Sequence, residues 1–227
     1  MKILAVEFSS ELRSVALVDA PGAPVSDPAR IKVLARAEEH GGRHTRALVL
    51  IETVLREAGW ERESIECIAV GLGPGSYAGI RAAIALAQGW QLARDVRVLG
   101  IGSVECFAAQ AHAEGARGEV HFLIDAQRNE FYCARAELDA SPRVEPLRLI
   151  GLDEARALAA GALCVEPTLL NLFPQARPMC PDAATLGRLA AARTEFNSAE
   201  KLEPVYLRAT SFVKAPPPRV IRGGQAS

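Results

Sequence analysis

Three short apolar strands in succession, then helices and strands in alternation, occur twice along these 227 residues. That order constrains the fold more than any single motif. Closely connected strands form an antiparallel meander, whereas a strand–helix–strand passage forms a parallel crossover. KILAVEF (2–8), SVALVD (14–19) and IKVLARA (31–37) are rich in Val, Ile and Leu and read as strands. The period then changes. HTRALVLIETVLREAG (44–59) sets Leu48, Ile51, Leu55 and Ala58 on one helical face, with Leu50 and Val54 as a second stripe beside it. Thr45 is the expected N-cap and Gly59 the expected stop. ECIAVGL (66–72) is a strand without alternation, as expected when both faces are covered. A helix of small residues (78–93), a strand (97–101) and a further helix (103–113) follow.

The second half restarts with strands at 119–126, 130–138 and 143–150, a helix at 153–160, a short strand at 162–165 and a helix at 183–194. A βββαβα unit therefore appears twice, the second time degraded. This is the organisation of the α/β actin-like ATPase (ASKHA) fold, in which two lobes face each other across a nucleotide cleft. The expected division is an N-terminal lobe with interface helices (1–115), a C-terminal lobe (116–213) and a disordered Pro- and Gly-rich tail (214–227). Such a fold by itself says nothing firm about function.

Lys+Arg 26 against Asp+Glu 27 leaves a net charge of −1, without the basic excess of a stand-alone nucleic-acid binder. The five cysteines are odd in number, far apart and without a C-x-x-C pair, which reads as reduced, buried thiols. The N-terminal MKILAVEFSSE is too short and too polar for a signal peptide, and no run approaches membrane-spanning length. The expected compartment is the cytoplasm.

The loop GLGPGSYAGIR (71–81) raises the question of phosphate binding. A Gly-rich turn before a helix N-terminus makes an anion site, yet no lysine stands where a P-loop needs one. The structural reading is that Gly73 and Gly75 supply unusual backbone angles, Pro74 fixes the bend, and Ser76 completes the turn. Glu7 ends the first strand and is followed by Phe8-Ser9-Ser10, which would crowd a phosphate; it reads as a turn or salt-bridge residue. His40 and His44 have metal-like spacing, but Gly41-Gly42 between them argues against a helix that would bring them together. No nucleophile with an activating base can be assembled, so neither catalytic residues, metal nor cofactor are expected. What remains is surface: two neighbouring helices, one apolar beyond a single stripe, the other lined with alanine and glycine.

GPGSYAGIR (73–81), RHTRALVLIETVL (43–55), IDAQRNEFY (124–132) and PVYLR (204–208) together resemble the TsaB (YeaZ) family and cover nearly the whole chain in the expected order. The resemblance implies an actin-like fold and a non-catalytic role beside TsaD in making N6-threonylcarbamoyladenosine at position 37 of ANN-decoding tRNAs. It also implies a TsaD heterodimer through a helical bundle, TsaE joining the complex, a homodimer through the same helices, and tRNA met only indirectly. Where TsaD carries the two histidines of H-x-E-x-H, this chain has Ser103 and Phe107. The glycine-rich adenosine turn is likewise missing from 162–173. The chain departs from the family at Glu7-Phe8-Ser9 (for Asp-Thr-Ser/Ala), at Asn129 and at Ala78. The expected interface positions are Leu48, Ile51, Leu55, Ile80, Arg81 and Ile84. The alternatives are an ATP-dependent enzyme of the same fold, a phosphotransferase or hydrolase using Glu7 and the 73–76 backbone, and a homodimer whose function is only assembly.

Overall fold

The computed structural model describes residues 1–21, 31–41 and 45–207. The 214–227 tail and His44 lie outside the described residues. Strands β1 (Lys2–Glu7), β2 (Leu12–Asp19) and β3 (Lys32–His40) form the expected meander. Beyond β3 run α1 (Ala47–Ala58), β4 (Cys67–Gly71), α2 (Tyr77–Ala93), β5 (Arg97–Ile101) and α3 (Ser103–Ala113). The first sheet has the order β3-β2-β1-β4-β5, antiparallel within the meander and parallel from β1 through β5.

The second half supplies β6 (Glu119–Asp125), β7 (Glu130–Glu137), β8 (Arg143–Val144), β9 (Arg148–Gly151), α4 (Leu152–Leu158), β10 (Leu163–Val165), β11 (Arg177–Pro178) and α5 (Ala183–Ala191). Its sheet runs β11-β10-β6-β7-β8, with β9 also on β7. Laid from the meander outward, the two sheets have the same order and strand directions. This is the duplicated architecture of the actin-like fold. The strand expected at 143–150 is two short pieces on the same neighbour. Pro146 falls between them, where a ladder N–H would be required.

Packing explains which helices sit where. α1 and α2 cover one face of the first sheet, burying Leu50, Ile51, Val54, Leu55, Ile80 and Ile84 against Leu4, Val6, Val15 and Leu17. The opposite face, with Ile3, Ala5, Ala16 and Val18, receives α5 through Ala183, Leu186 and Ala190. At Gly187 any Cβ would collide with Val18, so glycine permits this close approach. The helix expected within 116–213 thus lies on the first sheet. The chain then stays there: Asn197 bridges to Val98, and Leu202 enters the α1–α2 core. α3 packs on one face of the second sheet through Phe107 and Phe122, and α4 contributes Ala155 to the core of the other.

The first helix starts at Ala47, later than expected. Arg46 occupies the N-cap without a side-chain cap, and Thr45 does not fill that place. Glu39 of β3 holds the entry instead, accepting from the Arg46 amide (2.8 Å) and from Arg46 Nε (3.0 Å). Gly59 ends the helix in the left-handed region at φ 65°. Among the described residues no helix is long and apolar enough to cross a membrane.

Candidate functional site

The glycine loop connects β4 to α2 and is held by its own neighbours. Gly73 (φ 84°) and Gly75 (φ 143°) both have positive φ, and a Cβ at Gly75 would strike the Ser9 carbonyl. Three of the amides around the turn are committed. The Gly73 amide donates to Ser103 Oγ (3.1 Å), the Ser76 amide to the Ser9 carbonyl (2.6 Å), and the Gly79 amide to Ser76 Oγ, which caps α2 (3.4 Å). Arg13 on β2 donates from Nη2 to that same hydroxyl at 2.7 Å. The loop therefore anchors α2 to the β1–β2 turn.

Glu7 is fully buried, and the turn role expected of it appears as a bond from the amide two residues on. Its carboxylate accepts from the Ser9 amide (2.8 Å) and from Ser103 Oγ (2.8 Å). Burial pushes its carboxyl above the ordinary range, only partly opposed by the hydrogen bonds from Ser9 and Ser103. Ser103 so links the end of β1 to Gly73, and Phe107, one turn further on, is core. Among the described residues no group of three or more His, Cys, Asp or Glu could hold a metal ion. The cysteines whose thiols burial raises include Cys67, pushed up to about 12, and Cys164, to about 11, which makes them poor nucleophiles.

Between the lobes lies a cleft of about 470 Å³, walled by Ser9, Ser10, Gly75 and Ser76 on one side and by Asp125, Gln127, Tyr132, Glu166 and Thr168 on the other. Glu11, Tyr77 and Tyr206 complete it. Three carboxylates, Glu11, Asp125 and Glu166, line it. Burial, with Asp125 and Glu11 adding to it, pushes Glu166 up to about 7. Such a lining repels a polyphosphate.

The helical surface divides the expected interface residues. Leu48 is 62% exposed, and Arg81 projects from α2 into solvent. Ile51, Leu55, Ile80 and Ile84 are buried in the chain's own core, at most 7% exposed. These four are corrected from partner contacts to core residues, because the sheet claims the face on which they lie. The surface instead shows Val49 at 52%, Tyr77 at 59% and Leu92 at 91%, with Ala78, Ala85 and Gly89 between them on α2. Sequence reasoning passed over Arg13, Glu166 and Tyr206. The PVYLR stretch carried a signal for Tyr206; nothing local marked the other two.

A family model described as TsaD, tRNA N6-adenosine threonylcarbamoyltransferase, matches residues 38–145, which include both surface helices. TsaB of Escherichia coli, a tRNA threonylcarbamoyladenosine biosynthesis protein by name, is 31% identical over 61% of this chain and 56% of its own. The matched region thus spans little more than half the length of that relative. An uncharacterized protein of Mycobacterium tuberculosis is 31% identical over 79% of each chain. Among solved structures, YeaZ from Pseudomonas aeruginosa superposes with a TM-score of 0.73 at 28% identity, covering 91% of this chain and 99% of that one.

Proposed function

The chain belongs to the TsaB (YeaZ) family, and on that footing we propose that it is a non-catalytic, activating subunit of the assembly that forms N6-threonylcarbamoyladenosine at position 37 of ANN-decoding tRNAs. Its α1–α2 face docks on a TsaD-type subunit in the cytoplasm. A TsaE-type ATPase joins the assembly, and tRNA is met through the partner. A homodimer through the same helices is the resting alternative.

The observation that supports this reading most is the exposed apolar face of α1 and α2, Leu48, Val49, Tyr77 and Leu92, beside small residues that let another helix approach. The enzyme alternative needs phosphate donors in the 73–76 loop and a metal-holding Glu7. The amides of Gly73 and Ser76 are bonded internally, and Glu7 is sealed beneath Ser9 and Ser103.

Light-scattering mass of the chain mixed with its TsaD is the test. A heterodimer is expected, weakened about tenfold or more by Leu48→Asp, a charge placed in an apolar contact. Association unchanged in Leu48→Asp counts against this face. ATP-dependent thermal stabilisation that vanishes in Glu7→Ala would restore the enzyme reading.

A further inference from the structure

The described chain ends in a strap, residues 202–207, that returns across the first lobe to α2. Leu202 is buried in the α1–α2 core, and the Val205 amide donates to the Leu72 carbonyl at 2.9 Å. Tyr206 then stacks on Tyr77, the first residue of α2, with ring centroids 5.7 Å apart and planes 25° apart. One turn along α2, Arg81 lays its guanidinium 5.1 Å from the Tyr77 centroid and donates to the Tyr77 hydroxyl at 2.9 Å. The result is a ladder, Tyr206–Tyr77–Arg81, built on the surface rather than in the core. Tyr206 is 39% exposed and Leu207, beside it, 43%.

We propose that this ladder, with Leu207, is the anchor of the docking surface, so that the partner is gripped by the strap as well as by the helices and offers a carboxylate to Arg81. The proposal rests on the reading that the α1–α2 face docks a TsaD-type subunit. Continuity supports it, since Tyr77 belongs both to the exposed face of α2 and to the stack that carries the strap. Chemistry supports it too. Tyrosine and arginine dominate interface energetics, and a guanidinium already tied to a neighbouring hydroxyl loses little freedom on binding. Arg81 has no ion pair among the described residues, so its remaining N–H groups are open to an acidic side chain. A second copy of this chain fits less well. α2 contains neither Asp nor Glu, so a second copy laid α2 on α2 offers Arg81 no carboxylate from that helix.

Calorimetric titration of the heterodimer with Tyr206→Ala, Arg81→Gln, their double variant and Leu48→Asp tests this. Each ladder variant is expected to weaken binding about tenfold, and the double variant by less than the product of the two, since they act as one unit. Arg81 is solvent-facing, so Arg81→Gln carries the test alone if loss of the Tyr206 ring loosens the strap. Ladder variants that bind within about twofold of wild type while Leu48→Asp weakens binding would overturn the ladder and leave the helix face standing. Leu48→Asp binding as tightly as wild type would instead remove the docking reading, and the ladder with it.

Discussion

Glu166 carries a pH dependence that can be worked out from its surroundings. Its folded-state value of about 7 stands above the ordinary 4.5, chiefly through burial, with Asp125 and Glu11 nearby and Arg13 opposing. Below the ordinary value the carboxyl is neutral both folded and unfolded, so it costs nothing. As pH rises toward 7 the unfolded chain releases a proton that the folded chain keeps, and stability falls. Above 7 the full cost of ionising Glu166 in the cleft remains. Glu166→Gln is therefore expected to match wild type near pH 4.5 and to exceed it by about 3 kcal/mol at pH 8. Denaturant melts across that range check it; a gap that stays flat with pH would mean that the cleft solvates Glu166 well.

At the scale of the element, α2 holds two glycines with opposite requirements. At Gly79 a Cβ would collide with the Phe8 carbonyl and the Arg13 guanidinium, whereas nothing lies within 4 Å of a Cβ at Gly89. Gly79→Ala is expected to cost about 1–3 kcal/mol through overpacking, and Gly89→Ala to gain about 1 kcal/mol from helix propensity, both read by thermal unfolding. The sequence already showed that α2 was a small-residue helix; which glycine was structural depended on Phe8 and Arg13, far earlier in the chain. The same limit applied to α1. Its apolar residues cover more than half its circumference, and periodicity alone does not say which side the sheet takes. Ile51 and Leu55 therefore read as interface positions when they are core, and of the α1 residues expected at the interface only Leu48 is exposed. Strands fared better. Val- and Ile-rich runs with short turns gave the meander, and only Pro146 broke an expected strand in two.

For the whole molecule, the unforeseen feature is that the chain, having built its second sheet, returns to clamp the first. Helix α5 has an apolar stripe of Ala183, Leu186 and Ala190, and such a stripe does not declare its sheet. Leu186 is fully buried against the first sheet, and α3 sets Cys106 in that core and Phe107 in the core of the second sheet, so the two lobes are tied together and should unfold together. Both tryptophans, Trp60 and Trp90, pack on the α1–α2 side of the first sheet, so their fluorescence reports that lobe alone, whereas far-UV dichroism reports both. The two melts are expected to coincide. Leu186→Ala should shift them together, by about 2–5 kcal/mol, even though residue 186 follows the entire second sheet. Were α5 only an ornament of the second lobe, the tryptophan transition would stay in place while dichroism moved. A shared shift would mean that α1 and α2 rest on a framework whose stability is set by a helix that follows the entire second sheet.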